Sequence, residues 1–249
     1  MAERPRFVAL TTIREGNPYN RVEKIRSEVS LDTAKNFQVL QIPYVAIYDE
    51  CSEIYLKKLG ELDVVPIPQS GKGMGVVRRE AIKAGPEFYP EATHYLWLEP
   101  EKSNIPFHVT KLVETMEQNK SSLGLFNRVS MEGYPREQAF YYLFCRKVAG
   151  KLLGFDLDYA FGPMILTAAS IPYFINYAGE YGDRWDSILI PRLRVIKSDL
   201  GITINKIHFL NDPRMTAVES GNPRMILKRF QQLANILPSL IKEWKKLNE

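Results

Sequence analysis

The feature that most constrains this chain is a fourfold alternation within its first hundred residues. RFVALTT (6–12) is an apolar, β-rich run ended by the turn-like REGNP. Helical periodicity then runs from Pro18 to Phe37, with Val22, Ile25, Val29 and Leu31 facing inward. YVAIYDEC (44–51) reads as a second strand ending in two acids, followed by SEIYLKKLGE with Ser52 as its N-cap. DVVPIP reads as a third strand. GKGMGVVRREAIKAG begins as a glycine loop and becomes a helix that Gly85 ends, and THYLWLE reads as the fourth strand. Strands alternating with helices at this spacing predict βαβ units. The expected fold class is α/β, a mostly parallel central sheet flanked by helices.

The second half is less regular. HVTKLVETMEQ and PREQAFYYLFCRKVAG read as helices, the latter with Pro135 near its first turn and Gly150 past its end. SSLGLFNRV reads as extended and GITINKIHFL as a strand. DRWDSILIPRLRVIKSD reads as a helix broken near Pro191. The uncharged stretch 159–179 is long enough to span a bilayer, but Gly162, Pro163, Pro172, Asn176 and Gly179 divide it into a short strand and a short helix. It reads as buried core, with no transmembrane span. The last helix runs from about Asn222 to about Leu247, with Asn222 and Pro223 as N-cap and N1. No repeat or linker interrupts the chain, so one domain over 1–249 is expected.

Composition narrows the partners. The formal net charge is +4 with no dense Lys/Arg block, which does not imply nucleic acid and leaves room for an anionic small molecule. Cys51 and Cys145 are far apart and lack zinc spacing, which fits reduced thiols in a cytoplasmic protein. The stretch 1–16 has too short an apolar run for a secretory leader. In the last helix, Ile226, Phe230, Leu233, Leu237, Leu240, Trp244 and Leu247 step by four and three. That stripe suits packing on the chain's own domain, a homo-oligomer interface, or, with Lys242, Lys245 and Lys246, peripheral contact with a membrane surface.

In an open α/β sheet, ligands bind beyond the carboxyl ends of the strands. Here those ends offer Thr11, Thr12, Arg14 and Glu15, then Asp49 and Glu50, then the loop with Gly71, Lys72 and Gly73, then Glu99 and Glu101. Acids, a lysine and a glycine loop on one edge suit a phosphate-bearing ligand with Mg²⁺ or Mn²⁺. GKGMG is neither a Walker A loop nor G-x-G-x-x-G, so a plain turn is an equal reading. His208 reads either as a metal ligand or as a structural strand residue, while His94 and His108 read as structural and exposed respectively. Asp183 suits an N-cap. Asp186, between Trp185 and an apolar run, suits a partly desolvated base.

Together these pieces resemble the glycosyltransferase A fold. The chain is similar to family 2-type nucleotide-sugar-dependent glycosyltransferases, more closely to the mannosylglycerate synthase type, over roughly residues 6–240. ALTTIREGNP resembles the family's nucleotide entry and YDE the acid after its second strand. SGKGMGVVRREAIKAG resembles its loop and helix before the metal motif, with Lys72 at the lysine of that loop. YLWLEPEKSN stands at its strand-D-x-D, FGPMILTAAS with Gly162 at its G-G-x-x-x-x-R-R element, GDRWDSILIPRLRVIKSDLGI at its acidic acceptor-side helix, and KIHFL at a metal-site histidine.

The resemblance implies a nucleotide-sugar half over 6–105, an acceptor-side half over 106–221 and a C-terminal helix over 222–249. It implies Glu101 and His208 as metal ligands and Glu99 as a ribose or water-mediated contact. Asp183 or Asp186 becomes the catalytic carboxylate, and Asn127, Arg128 and Gly162 the acceptor-side candidates. The implied partners are a nucleoside diphosphate sugar and an acceptor hydroxyl, the metal neutralising the leaving diphosphate. Glu-Pro-Glu replaces Asp-x-Asp, with side chains one methylene longer and φ fixed at Pro100. The alternative is therefore a non-catalytic binding protein on the same fold. A sugar-phosphate nucleotidyltransferase ranks lower, because TTIREGNP stands where that class needs a glycine-rich phosphate loop.

Overall fold

The computed structural model describes residues 6–249, so the first five residues of the stretch weighed as a leader lie outside it. Seven strands form one sheet: β1 (Phe7–Arg14), β2 (Tyr44–Asp49), β3 (Val64–Pro68), β4 (His94–Trp97), β5 (Leu123–Arg128), β6 (Met164–Leu166) and β7 (Ile202–Ile207). Their order is β3-β2-β1-β4-β6-β5-β7. Around it lie α1 (Arg21–Val39), α2 (Glu53–Glu61), α3 (Met74–Phe88), α4 (Val109–Asn119), α5 (Arg136–Leu153), α6 (Ile171–Ile175), α7 (Asp186–Ile196), α8 (Pro213–Glu219) and α9 (Pro223–Lys246). The first four strands are parallel, as the alternation predicts, and β5 pairs parallel with β7.

β6 alone runs the other way. It pairs antiparallel with β4 on one side and β5 on the other, Met164 facing both Trp97 and Leu125. Reversal of this one strand decides the architecture of the carboxyl edge. The residues entering β6 arrive where β4 leaves, so the segment 158–163 lies beside Glu99. The uncharged stretch 159–179 does divide into a short strand and a short helix, β6 and α6. Among the described residues, no helix is long and apolar enough to cross a membrane.

Caps follow the sequence where a side chain makes them. Ser52 accepts from the Tyr55 N–H at 3.2 Å, and Asn222 accepts from the Arg224 N–H at 3.0 Å. Three expected helix ends move. α3 runs past Gly85 to Phe88, because Gly85 serves packing: a Cβ there would lie 2.7 Å from Tyr95 and 2.9 Å from Leu10. α5 continues through Gly150 to Leu153 and ends at Gly154, whose φ of 80° suits glycine. α7 is continuous through Pro191. One helical hydrogen bond is lost there, while Ile188, Leu189, Ile190, Leu193 and Val195 are all buried around it.

α9 packs against α5 and α7. Of the apolar stripe only Leu240 is among its buried residues, the others being Arg229, Gln232, Ile236, Ser239 and Glu243. Glu243 accepts from Arg194 at 2.6 Å and from the Tyr181 hydroxyl at 2.9 Å, which ties the helix to α7. Leu227 and Phe230 are left exposed, as are Phe140, Leu143 and Phe144 of α5.

Candidate functional site

The carboxyl ends of the strands open into one cavity of about 410 Å³, roofed by α9. β1 contributes Thr12 and Arg14, and the segment after β4 contributes Glu99, Pro100, Glu101 and Lys102. α1 adds Arg26, α3 adds Arg78, α8 adds Glu219, and α9 adds Lys228, Arg229, Gln232 and Ile236. Lys228, Gln232 and Ile236 recur every four residues and so share one face of α9. Tyr141, Tyr142 and Trp185 form apolar walls.

The floor is the 158–162 segment, clamped by two fully buried arginines. Arg128 donates to Asp158 at 2.6 and 3.0 Å, and its guanidinium lies 3.8 Å from the Tyr142 ring centre and 4.2 Å from that of Phe161. Arg192 donates to the carbonyls of Tyr159, Phe161 and Gly162 at 3.0, 2.8 and 2.6 Å. The clamped floor meets the Glu99 carboxylate at Gly162. A Cβ at Gly162 would lie 1.9 Å from Glu99 Oε1, so only glycine admits this approach.

Six cationic side chains line the cavity against three carboxylates. Glu219 accepts from Arg26 at 2.5 Å and has Arg229 at 3.7 Å. Glu101 is held below the ordinary carboxylate range: burial opposes its charge, but Arg26, Lys102 and Lys228 outweigh burial. Burial also opposes the charge on Lys102, yet the oxygens of Tyr134, Tyr142, Glu99 and Glu101 raise its pKa above the usual lysine value. Its ammonium rests 5.8 Å from the Phe161 ring centre and 5.7 Å from that of Phe209. Lys228 goes the other way. Burial, with the neighbouring charges of Arg26 and Arg229, lowers it to about 7.

The structure sorts the residues singled out from sequence. Thr12, Arg14, Glu99, Glu101 and Gly162 all line the cavity. Thr11 is buried beneath it, its hydroxyl donating to the Leu98 carbonyl at 2.9 Å. Glu15 accepts from the Ser52 N–H at 2.6 Å, a cap rather than a cavity contact, and Asp49 lies off the cavity at the end of β2. Gly71, Lys72 and Gly73 of the glycine loop lie outside the cavity lining, and three of the loop's backbone donors are engaged within the protein. Ser70 and Gly71 donate backbone N–H groups to Glu80 at 3.1 and 2.8 Å, and Gly75 donates to the Asp183 carbonyl at 3.0 Å. Lys72 and Gly73 are exposed at the loop's edge.

Neither acceptor-side acid reaches the cavity. Asp186 is buried and fully employed: it accepts from the Tyr177 hydroxyl at 2.7 Å and from the backbone N–H groups of Asp183 and Arg184 at 3.1 and 2.7 Å. Asp183 takes a φ of 55° and forms a two-point pair with Arg79 at 2.5 and 2.8 Å. Asn127 is buried too, accepting from the Asp158 N–H at 2.7 Å and donating to the Asp156 carbonyl at 2.9 Å. With Arg128 it supports the floor, and neither residue lines the cavity. His208 is exposed, because Ile207 and Phe209 on either side face the core, and its main chain lies beside the His108 ring.

The divalent cation that the sequence resemblance implies does not fit these residues. Among those described, no group of three or more His, Cys, Asp or Glu is placed to hold a metal ion. Glu101 is acted on by three cations, and His208 is exposed and does not line the cavity. Glu99 Oε2 is buried without a partner and shares the cavity with Glu101, but among the described residues no third acid, histidine or cysteine completes a ligand set.

Arg26, Arg78, Lys102, Glu219, Lys228 and Arg229 were missed in the sequence. The sequence signal that could have found one of them is Lys228, a cation on the side of the last helix that its apolar stripe leaves bare.

No protein-family model matches this chain, and no curated protein matches it in sequence. Several solved structures share its fold. One is glucosyl-3-phosphoglycerate synthase from Mycobacterium tuberculosis, in complex with Mn²⁺, UDP-glucose and phosphoglyceric acid. It is 12% identical, with a TM-score of 0.55 over 93% of this chain and 80% of that one. Another is 4-diphosphocytidyl-2C-methyl-D-erythritol synthase from Anaerococcus prevotii, 12% identical, with a TM-score of 0.50 over 92% and 96%. A third is a candidate nucleotide-diphospho-sugar transferase from Desulfovibrio desulfuricans, 8% identical, with a TM-score of 0.50 over 96% and 98%. The chain has the nucleotide-diphospho-sugar transferase fold of glycosyltransferase A type.

Proposed function

We propose that this protein is a glycosyltransferase that moves a sugar from a nucleoside diphosphate sugar to an acceptor hydroxyl. One observation carries the reading. The antiparallel β6 and the parallel β1 and β4 together deliver Thr12, Arg14, Glu99, Glu101 and Gly162 to a single cation-rich cavity at the carboxyl edge. A diphosphate matches an excess of positive charge, and the aromatic walls suit the flat faces of a base or sugar. In the reaction, the anomeric C–O bond breaks with its electron pair going to the β-phosphate oxygen. The acceptor oxygen bonds to the anomeric carbon and loses its proton, for which Glu99 is the cavity carboxylate offered. Sugar transfer is favoured over nucleotidyl transfer because the β1–α1 connection carries REGNP, without a glycine-rich phosphate loop.

A second reading, a nucleotide-binding protein without transfer activity, draws on the engagement of Asp183 and Asp186 elsewhere. The test is a thermal-shift screen of UDP-, GDP- and ADP-linked sugars, followed by a nucleoside diphosphate release assay with hydroxyl acceptors. The transferase reading expects at least one donor to raise Tm and to be consumed. Binding without consumption across the acceptor panel favours the second reading. Pyrophosphate release from a nucleoside triphosphate points to nucleotidyl transfer, and no shift with any donor overturns the proposal.

A further inference from the structure

We infer that Arg26, Lys102 and Lys228, in place of a divalent metal, neutralise the diphosphate in this cavity. The inference rests on the reading of the cavity as a nucleotide-sugar site, and deepens it by assigning the groups that face the phosphates.

The first support is the unspent positive charge. Among the described residues, neither Lys102 nor Lys228 has a carboxylate oxygen within 4.0 Å of its ammonium, although both line the cavity. Lys102 is more than nine-tenths buried; its ammonium lies over two rings, with Glu99 and Glu101 acting on it without a direct ion pair. An unpaired ammonium at that depth is costly unless an anion meets it. Arg26 and Arg229 carry buried Nε atoms with no hydrogen-bond partner, and they share the single carboxylate of Glu219. These are donors awaiting acceptors, on α1, on α9 and beyond β4, all aimed at one space.

The second support is the place of Glu101. At the sheet position where a metal-ligating acid is expected, this carboxylate is surrounded by Arg26, Lys102 and Lys228. A dication beside Glu101 would stand among the like charges of Arg26, Lys102 and Lys228. A diphosphate would meet the reverse, and the negative charge gained as the anomeric bond breaks would build up against fixed ammonium and guanidinium groups. Such groups need no metal to be recruited first, and the Arg194–Glu243 bond ties α9, which carries Lys228, to α7.

Calorimetric titration of the full chain with inorganic pyrophosphate and with UDP and GDP, each in EDTA and then in Mn²⁺, tests this. The expected result is binding in EDTA within about threefold of that in Mn²⁺, weakened tenfold or more in Lys228→Met. Lys242→Met, on the exposed side of the same helix, should leave it unchanged. Lys102→Met supplies a second, independent loss, with far-ultraviolet circular dichroism checking that each variant folds. Nucleotide binding that appears only with Mn²⁺, or that survives Lys228→Met undiminished, overturns the inference while leaving the transferase reading intact. Metal-free pyrophosphate binding with no affinity for UDP or GDP overturns the nucleotide-sugar reading and, with it, the assignment of these cations to a nucleotide diphosphate. No binding of either anion overturns both.

Discussion

Replacing Arg128 with Met removes one half of an ion pair that water does not reach. Both side chains are 0% exposed, and two hydrogen bonds of 2.6 and 3.0 Å join them. The variant leaves the Asp158 carboxylate buried and unpaired, which costs about 3–5 kcal/mol in such pairs. The guanidinium also lies over Tyr142 and Phe161, contacts that a thioether replaces only in part. In a chain of this length each kcal/mol lowers Tm by about 2–4 °C, so a fall of roughly 6–20 °C is expected by calorimetry. Arg128→Lys keeps the charge but loses the two-point geometry, and should fall in between. Arg128→Met combined with Asp158→Asn removes the orphaned charge and should recover part of the loss. The reasoning is refuted if Arg128→Met costs under about 1 kcal/mol in chemical denaturation, or if the double variant is as unstable as the sum of its parts.

Gly162→Ala should displace the Glu99 carboxylate, whose Oε1 would lie 1.9 Å from the new methyl. Donor turnover is then lost with a Tm change of only a few degrees, measured by product release beside calorimetry. Asp186→Ala should cost at least about 1–3 kcal/mol by stranding the Tyr177 hydroxyl and two backbone N–H groups, with nucleotide affinity unchanged in titration. Lost turnover at unchanged stability would instead make Asp186 catalytic. Lys228, lowered to about 7, faces Arg26 from α1, Glu101 beyond β4 and Glu219 from α8, with Arg229 beside it on its own helix. An unfolded lysine titrates near about 10.4, so between the two values the unfolded chain binds more protons and stability rises with pH. Anion affinity should run oppositely and fall above pH 7, and both trends should flatten in Lys228→Met.

The alternation of the first hundred residues was enough to place β1 to β4, because parallel strands buried on both faces leave long apolar runs between helices. Glu99 and Glu101 were readable for the same reason: a charged residue at the end of such a run has to lie at the sheet's edge. Gly162 was found only through a resemblance in pattern, and the structure supplies its physical reason in the approach of Glu99. The cations were not legible. Arg26 and Lys228 are separated by about two hundred residues and meet only when α9 docks. Asp186 looked like a desolvated base because its three hydrogen-bond partners, close in sequence though they are, come together only through the turn at Asp183. Gly85 looked like a helix end because a short helix-to-sheet distance leaves no mark of its own in the sequence.

β6 holds its place by only three residue pairs on each side, yet it fixes the height of the cavity floor. Successive residues of a strand advance by about 3.3 Å and alternate faces. Deleting one residue between Asp158 and Met164 therefore cannot be absorbed quietly. Either the strand slips and turns its buried side chains toward the wrong layer, or the floor is pulled taut and Gly162 leaves the Glu99 carboxylate. The segment behaves as a gauge block set between two arginine jaws. Variation in the length of this chain should be found in connections such as 129–134, and should be rejected in this one.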